Sequence, residues 1–346
     1  MTLLARQAKL HPNMEAQDLV KYLYQACYGP GHLRSEKEAM ERYLKEEYEN
    51  TKAKRVPLFE QVGNDFIRIN MARWKREGYP LSWLFNMFYR TLDQEYGNDE
   101  TFKALIKEAK KAVKEGIFAF DLKDFEEYLN QYLEKEIHPV HHSASYRKRY
   151  SPSYRLVRSE FQALFQVLAR IAKRDQKNYV IAIDGPCTSG KSTLGELLSE
   201  VLAIDCIHMD DFFLPLDLRT PERMAEAGGN VHYERFIEEV LPNLKHNKDF
   251  TYRLFECGDI MDFAKEPIKV KGNDLHLIEG SYASHPKFGH YMDLFVYTDI
   301  DPKTQLERVM KRNGPKMYEK FRDLWIPLEN KYFRTFNIKK KADIRL

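Results

Sequence analysis

The sequence predicts two folded parts: an all-α N-terminal domain over 1–140, and an α/β domain over 179–346 whose parallel sheet is flanked by helices. Three observations predict them. The chain has 346 residues, more than most single domains. Its first 140 residues carry apolar side chains at helical spacing, with no fixed-period repeat. From Tyr179 onward, short apolar runs alternate with helical patterns, an order that places ligands at the carboxyl ends of strands.

In the N-terminal part, SEKEAMERYLKEEYEN opens with Ser35 and Glu38 at capping-box spacing. PLSWLFNMFYRTLDQEYG sets Leu81, Leu84, Phe85 and Phe88 on one face and ends at Gly97. Asp99 is placed to cap the next helix, which carries Phe102, Leu105, Ile106 and Ala109. DLKDFEEYLNQYLEKE repeats the pattern with Phe125, Tyr128, Leu129 and Tyr132. The oddest segment is YGPGHL (28–33), where Gly-Pro-Gly forces a turn and displays His32. With Arg68 and Asn70 it could line a small-molecule pocket, or it could be a turn with helix-end packing. Regulation, dimerisation and partner binding all remain open for this part.

Composition then shifts. A basic, tyrosine-rich connector and helix occupy 141–178, with Arg147, Lys148, Arg149, Arg155 and Arg158. It reads as a solvated connector, or as a segment that lends cations to a phosphate site.

In the third part, YVIAID, IDCIH, LHLIEG and DLFVYTD are the fully apolar runs of strands buried on both faces. KSTLGELLSEVLA, YERFIEEVLPNLK and PKTQLERVMKRN are the intervening helices. Between the first strand and helix, GPCTSGKST matches G-x-x-x-x-G-K-[ST] through Gly185, Gly190, Lys191 and Ser192. The pattern needs that context, because backbone N–H groups must curl around phosphate oxygens at a helix N-terminus. Lys191 would neutralise β/γ-phosphates and Ser192 would ligate Mg²⁺, with Thr188, Ser189 and Thr193 completing the ATP-binding loop. Cys187 inside the loop is a small side chain that fits, or a thiol whose pKa cationic surroundings lower. NKDF (247–250) and NKYF (330–333) both lack the N-K-x-D guanine reader of GTPases.

From about Tyr179 to the C-terminus the sequence resembles the uridine kinase and phosphoribulokinase family of P-loop kinases. The resemblance rests on DGPCTSGKST, HMDDFFLP, GGNVHYERF, LIEGSY and DPKTQLERVMKRNG. They are specific as an ordered series and cover about half the chain. The resemblance implies a P-loop kinase domain that uses ATP and Mg²⁺ to phosphorylate a hydroxyl of a nucleoside, sugar phosphate or related metabolite. It makes Asp210 the catalytic base. The chemistry agrees independently, since a carboxylate just past a strand end beside the loop can orient a hydroxyl for in-line attack. Asp211 is then a structural acid, and Phe212 and Phe213 wall the acceptor pocket. Glu279 would hold Mg²⁺ with Ser192 and Asp210. Arg308 and Arg312, one helical turn apart, match the lid arginines that close over the transferring phosphate.

Two departures concern the acceptor. His232 stands where many relatives have Asp, and Arg253 follows Tyr252, a substrate tyrosine by resemblance, where an acid is common. His and Arg in place of acids suggest an acceptor with negative charge. The alternative to a kinase is a nucleotide-gated switch whose helical domain binds a partner or ligand.

A net charge of +3 gives no global field for nucleic acid or membrane, so neither is an expected partner. The expected partner is the small-molecule acceptor, and self-association is left open. No window approaches the roughly 20 apolar residues of a spanning helix. Cys27, Cys187, Cys206 and Cys257 form no C-x-x-C pair, which fits a reducing cytoplasm. Trp325, Pro327, Leu328, Tyr332 and Phe333 read as packing residues that close the domain.

Overall fold

The structure, a computed structural model, describes residues 1–256 and 262–346. Cys257 lies outside the described residues. The chain forms two compact units, Met1–Gln162 and Ala163–Leu346.

In the first unit, helices Ala16–Tyr28, Asp99–Lys114 and Leu122–Leu133 each turn one apolar face inward, as their spacing requires. Leu19, Leu23, Phe102, Ile106, Phe125 and Leu129 fill the core between them. Helix ends differ in detail from expectation. Asn98, not Asp99, is the cap, its Oδ1 accepting the Thr101 amide at 3.0 Å. The next capping expectation also shifts, because helix Lys37–Asn50 begins after Glu36 with no side-chain cap. Helix Leu81–Thr91 stops well before Gly97.

The helical expectation for this region has one addition, a three-stranded antiparallel sheet of β1 (Phe59–Val62), β2 (Phe66–Asn70) and β3 (Tyr154–Arg158), in that order. FIRIN and YRLVR are each too short to show a period, and their pairing is remote in sequence. The 141–178 segment is therefore no free connector. It holds the helix Ala144–Tyr150 and strand β3 in the first unit, and its helix Phe165–Ile171 belongs to the second. Arg155 pairs with Glu47 and Arg158 with Glu160 inside the first unit.

Arg68 and Asn70 serve this fold. Arg68 is buried, its guanidinium donating to Glu60 Oε1 at 2.5 Å and to Gln25 Oε1 at 2.6 and 3.1 Å. Asn70 caps helix Met71–Glu77 through the amides of Ala72 and Arg73. Neither side chain is left for the pocket suggested with His32.

The second unit contains β4 (Tyr179–Asp184), β5 (Cys206–His208), β6 (Phe250–Tyr252), β7 (Phe255–Glu256), β8 (Asp262–Phe263), β9 (Ile268–Val270), β10 (Leu275–Glu279), β11 (Leu294–Tyr297) and β12 (Ile344–Arg345). Five of these form one parallel sheet in the order β12-β11-β4-β10-β5. β6 pairs with β9 and β7 with β8 as small antiparallel ribbons. The four sequence-predicted strands are β4, β5, β10 and β11, apolar because both sheet faces are covered. From β4 the chain crosses to β5, returns to β10, and then moves to β11 on β4's other side. That reversal opens a crevice at the carboxyl end of β4. Tyr332 and Phe333 pack into the core as expected, whereas Pro327 is exposed and Trp325 and Leu328 are half-buried. Among the described residues, no helix is long and apolar enough to cross a membrane.

Candidate active site

Strand register builds the site. Glu279, the last residue of β10, stands opposite Ile183 of β4 on one side and His208 of β5 on the other. The glycine-rich loop, Glu279 and the turn holding Asp210 therefore leave the sheet at one edge. This is a P-loop α/β fold.

The loop runs from Gly185 to the helix Lys191–Leu202, with Gly190 as its N-cap in the left-handed region. Gly185 has φ +149°, and a Cβ there would lie 2.3 Å from the Thr298 carbonyl oxygen, so only glycine fits. Thr188 is also left-handed at φ 60°. Ser189 Oγ lies 2.5 Å from Thr298 Oγ1, and Lys191 Nζ donates to the Pro186 carbonyl at 2.9 Å. Lys191 is buried, while Ser192 and Thr193 open to solvent on the first turn of the helix.

Ser192 Oγ is 3.5 Å from Glu279 Oε2, and His208 Nδ1 is 2.6 Å from Glu279 Oε1. Gly195, on the next turn of the helix, lets Glu279 approach, since a Cβ there would sit 3.0 Å from Glu279 Cγ. Asp210 follows β5 on a 3-10 turn, Met209–Phe212. Asp210 is exposed as a residue, yet protein atoms surround its carboxyl. That crowding raises its pKa, the negative charges of Glu279 and Asp211 add to the rise, and Lys191 and His208 oppose it. A carboxylate so tuned can take a proton nearer neutrality than an ordinary Asp.

Among the described residues, no three His, Cys, Asp or Glu side chains converge as a cation cage. The hard oxygens of Ser192 and Glu279 nevertheless suit Mg²⁺, which takes few protein ligands and keeps waters and substrate phosphates. The residues present fit that ion.

Other predicted residues scatter. Arg308 donates to the Thr188 carbonyl at 3.0 Å, so it touches the loop. Arg312 does not, since it bonds Asn313 and lies 5.9 Å from the Phe321 ring. The helix carrying both, Pro302–Lys320, breaks at Gly314 (φ 73°, ψ 175°) before Pro315. Phe212 is fully buried against Phe236 and Tyr252, a core residue and not a pocket wall. Phe213 bridges to Val231 and faces Trp325.

Beyond the turn lies a cleft of about 450 Å³ lined by His232, Arg235, Arg253, Asp217 and Asp262, with Leu216, Phe255 and Phe263 as apolar flanks. His232 and Arg253 thus meet in one cavity. His232 caps helix Tyr233–Glu239, its Nδ1 accepting the Arg235 amide at 3.4 Å. Burial lowers its pKa, against the Glu234 carboxylate, which lies 3.3 Å from Nδ1 and raises it. Arg253 is engaged by Glu239 at 2.5 and 2.8 Å. Tyr252 is buried, its hydroxyl donating to Asp211 Oδ2 at 2.7 Å. It holds the neighbour of Asp210 and lies outside the cleft lining.

Sequence reasoning missed four side chains. Arg235, buried between Phe212 and Phe263, joins Glu239 and the Asp211 carbonyl. YERFIEE carries that i,i+4 Arg–Glu pair openly, a signal that could have found it. Asp184 is wholly buried and accepts five hydrogen bonds: the amides of Gly185, Tyr282 and Ser284, and the hydroxyls of Ser284 and Tyr332. Glu329 accepts the Cys187 amide at 2.9 Å and the Ser281 hydroxyl at 2.7 Å. His208 is the fourth. The Cys187 thiol is pushed up to about 12 by burial and then by Glu329, the opposite of an activated cysteine.

No protein-family model and no curated protein matches the sequence. Among solved structures, the chain is similar to a possible uridine kinase from Bacillus stearothermophilus, at 22% identity over 54% of this chain and 99% of that one (TM-score 0.42). It is also similar to a D-glycerate 3-kinase from Cryptococcus neoformans var. grubii, at 15% identity over 50% of this chain and 88% of that one (TM-score 0.37).

Proposed function

We propose that this chain is an ATP-dependent kinase that transfers the γ-phosphoryl group to a hydroxyl of a small molecule. The observation that carries the reading is the shared edge of β4, β10 and β5. A glycine-rich loop with Lys191, an oxygen pair suited to Mg²⁺, and a carboxyl of raised pKa all follow the ends of these neighbouring strands.

In this reading the loop amides from Thr188 to Thr193 and Lys191 hold the phosphates. Lys191 exchanges its Pro186 carbonyl for phosphate oxygens. Ser192 and Glu279, with Asp210, would hold Mg²⁺, which would supply charge neutralisation for the transferring phosphate. Asp210 accepts the acceptor hydroxyl's proton and orients it in line; little more is asked of the protein than positioning and charge stabilisation. Arg308 and Arg312 close over the phosphoryl group. The acceptor, a nucleoside, sugar phosphate or related metabolite, occupies the cleft of His232, Arg235 and Arg253. His232 hydrogen-bonds a hydroxyl of the acceptor. Arg235 and Arg253 offer guanidinium donors to the acceptor, but Glu239, Asp217 and Asp262 outnumber them, so the cleft carries no net positive charge. A cytoplasmic setting completes the reading.

The test is Mg·ATP turnover against nucleosides, vitamin-like alcohols and sugar phosphates, with Asp210→Asn as control. We expect transfer to one class, with the variant losing about 10²–10⁴-fold in kcat while still binding ATP. The kcat/KM of the wild type should rise with pH through a pKa above that of an ordinary Asp, because only ionised Asp210 accepts the proton. Undiminished turnover by Asp210→Asn would refute its role. ATP binding without transfer to any acceptor would favour the nucleotide-gated switch.

A further inference from the structure

We infer that His208 is a positioning residue for the metal-facing carboxylate Glu279. This rests on the kinase reading above and extends it to a side chain outside the loop and the acid pair.

The geometry carries it. His208 ends β5 directly opposite Glu279, the end of β10, so the two side chains leave adjacent parallel strands at the same level. Nδ1 of the ring lies 2.6 Å from Glu279 Oε1. A carboxylate has no proton to give, so the imidazole donates Nδ1–H and that tautomer is set by the contact. One carboxylate oxygen is thereby committed. The other, Oε2, is left on the Ser192 side at 3.5 Å. On the opposite flank the bare Cα of Gly195 leaves room for the Glu279 stem and no more. Glu279 is buried, and its two neighbours permit one arrangement: Oε1 on His208 and Oε2 toward Ser192 and the phosphates.

The consequence is a Glu279 that presents a single oriented oxygen to a cation and is not free to rotate or chelate with both. Partners that orient a metal-binding carboxylate are typically worth 10–100-fold in metal affinity. Removing the ring should therefore weaken the cation and leave the loop's hold on nucleotide phosphates intact. His208 is half-exposed, so its loss should not unfold the sheet edge.

The experiment titrates Mn²⁺ into the ATP-bound full chain and follows free Mn²⁺ by electron paramagnetic resonance, alongside calorimetric ATP binding in EDTA. Wild type, His208→Ala and His208→Asn are compared. The Asn side-chain N–H reaches nearly the position of Nδ1–H. We expect all three to bind ATP equally in EDTA, His208→Ala to bind Mn²⁺ about 10–100-fold more weakly, and His208→Asn to recover most of the loss. Equal Mn²⁺ affinity in wild type and His208→Ala would overturn the inference and leave the kinase reading standing. So would an Asn variant as impaired as the Ala variant, since donation to Glu279 would then not be the cause. Wild type that fails to bind ATP at all would overturn the kinase reading and this inference with it.

Discussion

Glu329 accepts the backbone amide of Cys187 at 2.9 Å across 142 positions of sequence, and so ties the helix Ile326–Thr335 to the glycine-rich loop. One turn further along the same helix, Tyr332 donates to Asp184, the residue immediately before the loop. Both acids are buried, and burial raises the pKa of each despite several hydrogen bonds to them. The helix that follows the Arg308–Arg312 segment is thus part of the loop's foundation.

That relationship predicts the effect of Glu329→Ala. The variant leaves the buried Cys187 amide without its acceptor, at a cost of about 1–3 kcal/mol, whereas the Ser281 hydroxyl keeps the Gly185 carbonyl at 3.1 Å. Glu329→Gln keeps one carbonyl acceptor and should lose less. Urea denaturation of both variants, with ATP affinity measured beside it, checks the order. A Glu329→Ala protein as stable as the wild type would show that the contact is incidental.

Arg308 and Arg312, proposed above to close over the phosphoryl group, should separate in their effects. Arg308 already holds the Thr188 carbonyl, so Arg308→Ala should weaken ADP binding as well as lower kcat. Arg312 rests on Asn313 and Phe321, so Arg312→Ala should leave ADP binding unchanged and lower kcat by about 10²–10³-fold, the cost of losing one charge-stabilising donor. Calorimetry with ADP and steady-state kinetics decide this. Identical behaviour of the two variants would argue against the distinction.

Acid should destabilise both units through buried histidines. Burial lowers the pKa of His142, in the first unit, and of His285, in the second, to about 4. Between that value and the ordinary 6.5 the unfolded chain binds the proton and the folded chain does not. Stability is therefore present above about pH 6.5 and falls as pH drops toward 4, by up to about 1.4 kcal/mol per pH unit for each residue. Urea midpoints at pH 7.5, 6 and 5 should fall in that order, and more shallowly in His142→Gln and His285→Gln. Parallel slopes for variants and wild type would remove these residues from the account.

Much of this protein could be read without coordinates because the physics involved is local. A run such as YVIAID commits to a covered strand by composition, GPCTSGKST commits to a tight turn before a helix by its glycines, and helical periods of three to four residues announce the N-terminal helices. Asp210 and Glu279 were legible for the same reason, as acids at the ends of apolar runs. Tertiary structure decided whatever depends on pairing across the chain. Strand β3 finds β2 only through a fold that joins distant segments, so the first unit gained a sheet that no window of sequence displays. His208 became a neighbour of Glu279 only because β5 and β10 pair in one register. The same holds at the loop: Asp184 and Glu329 are ordinary acids in sequence, and only burial, with partners gathered from remote elements, turns them into its supports.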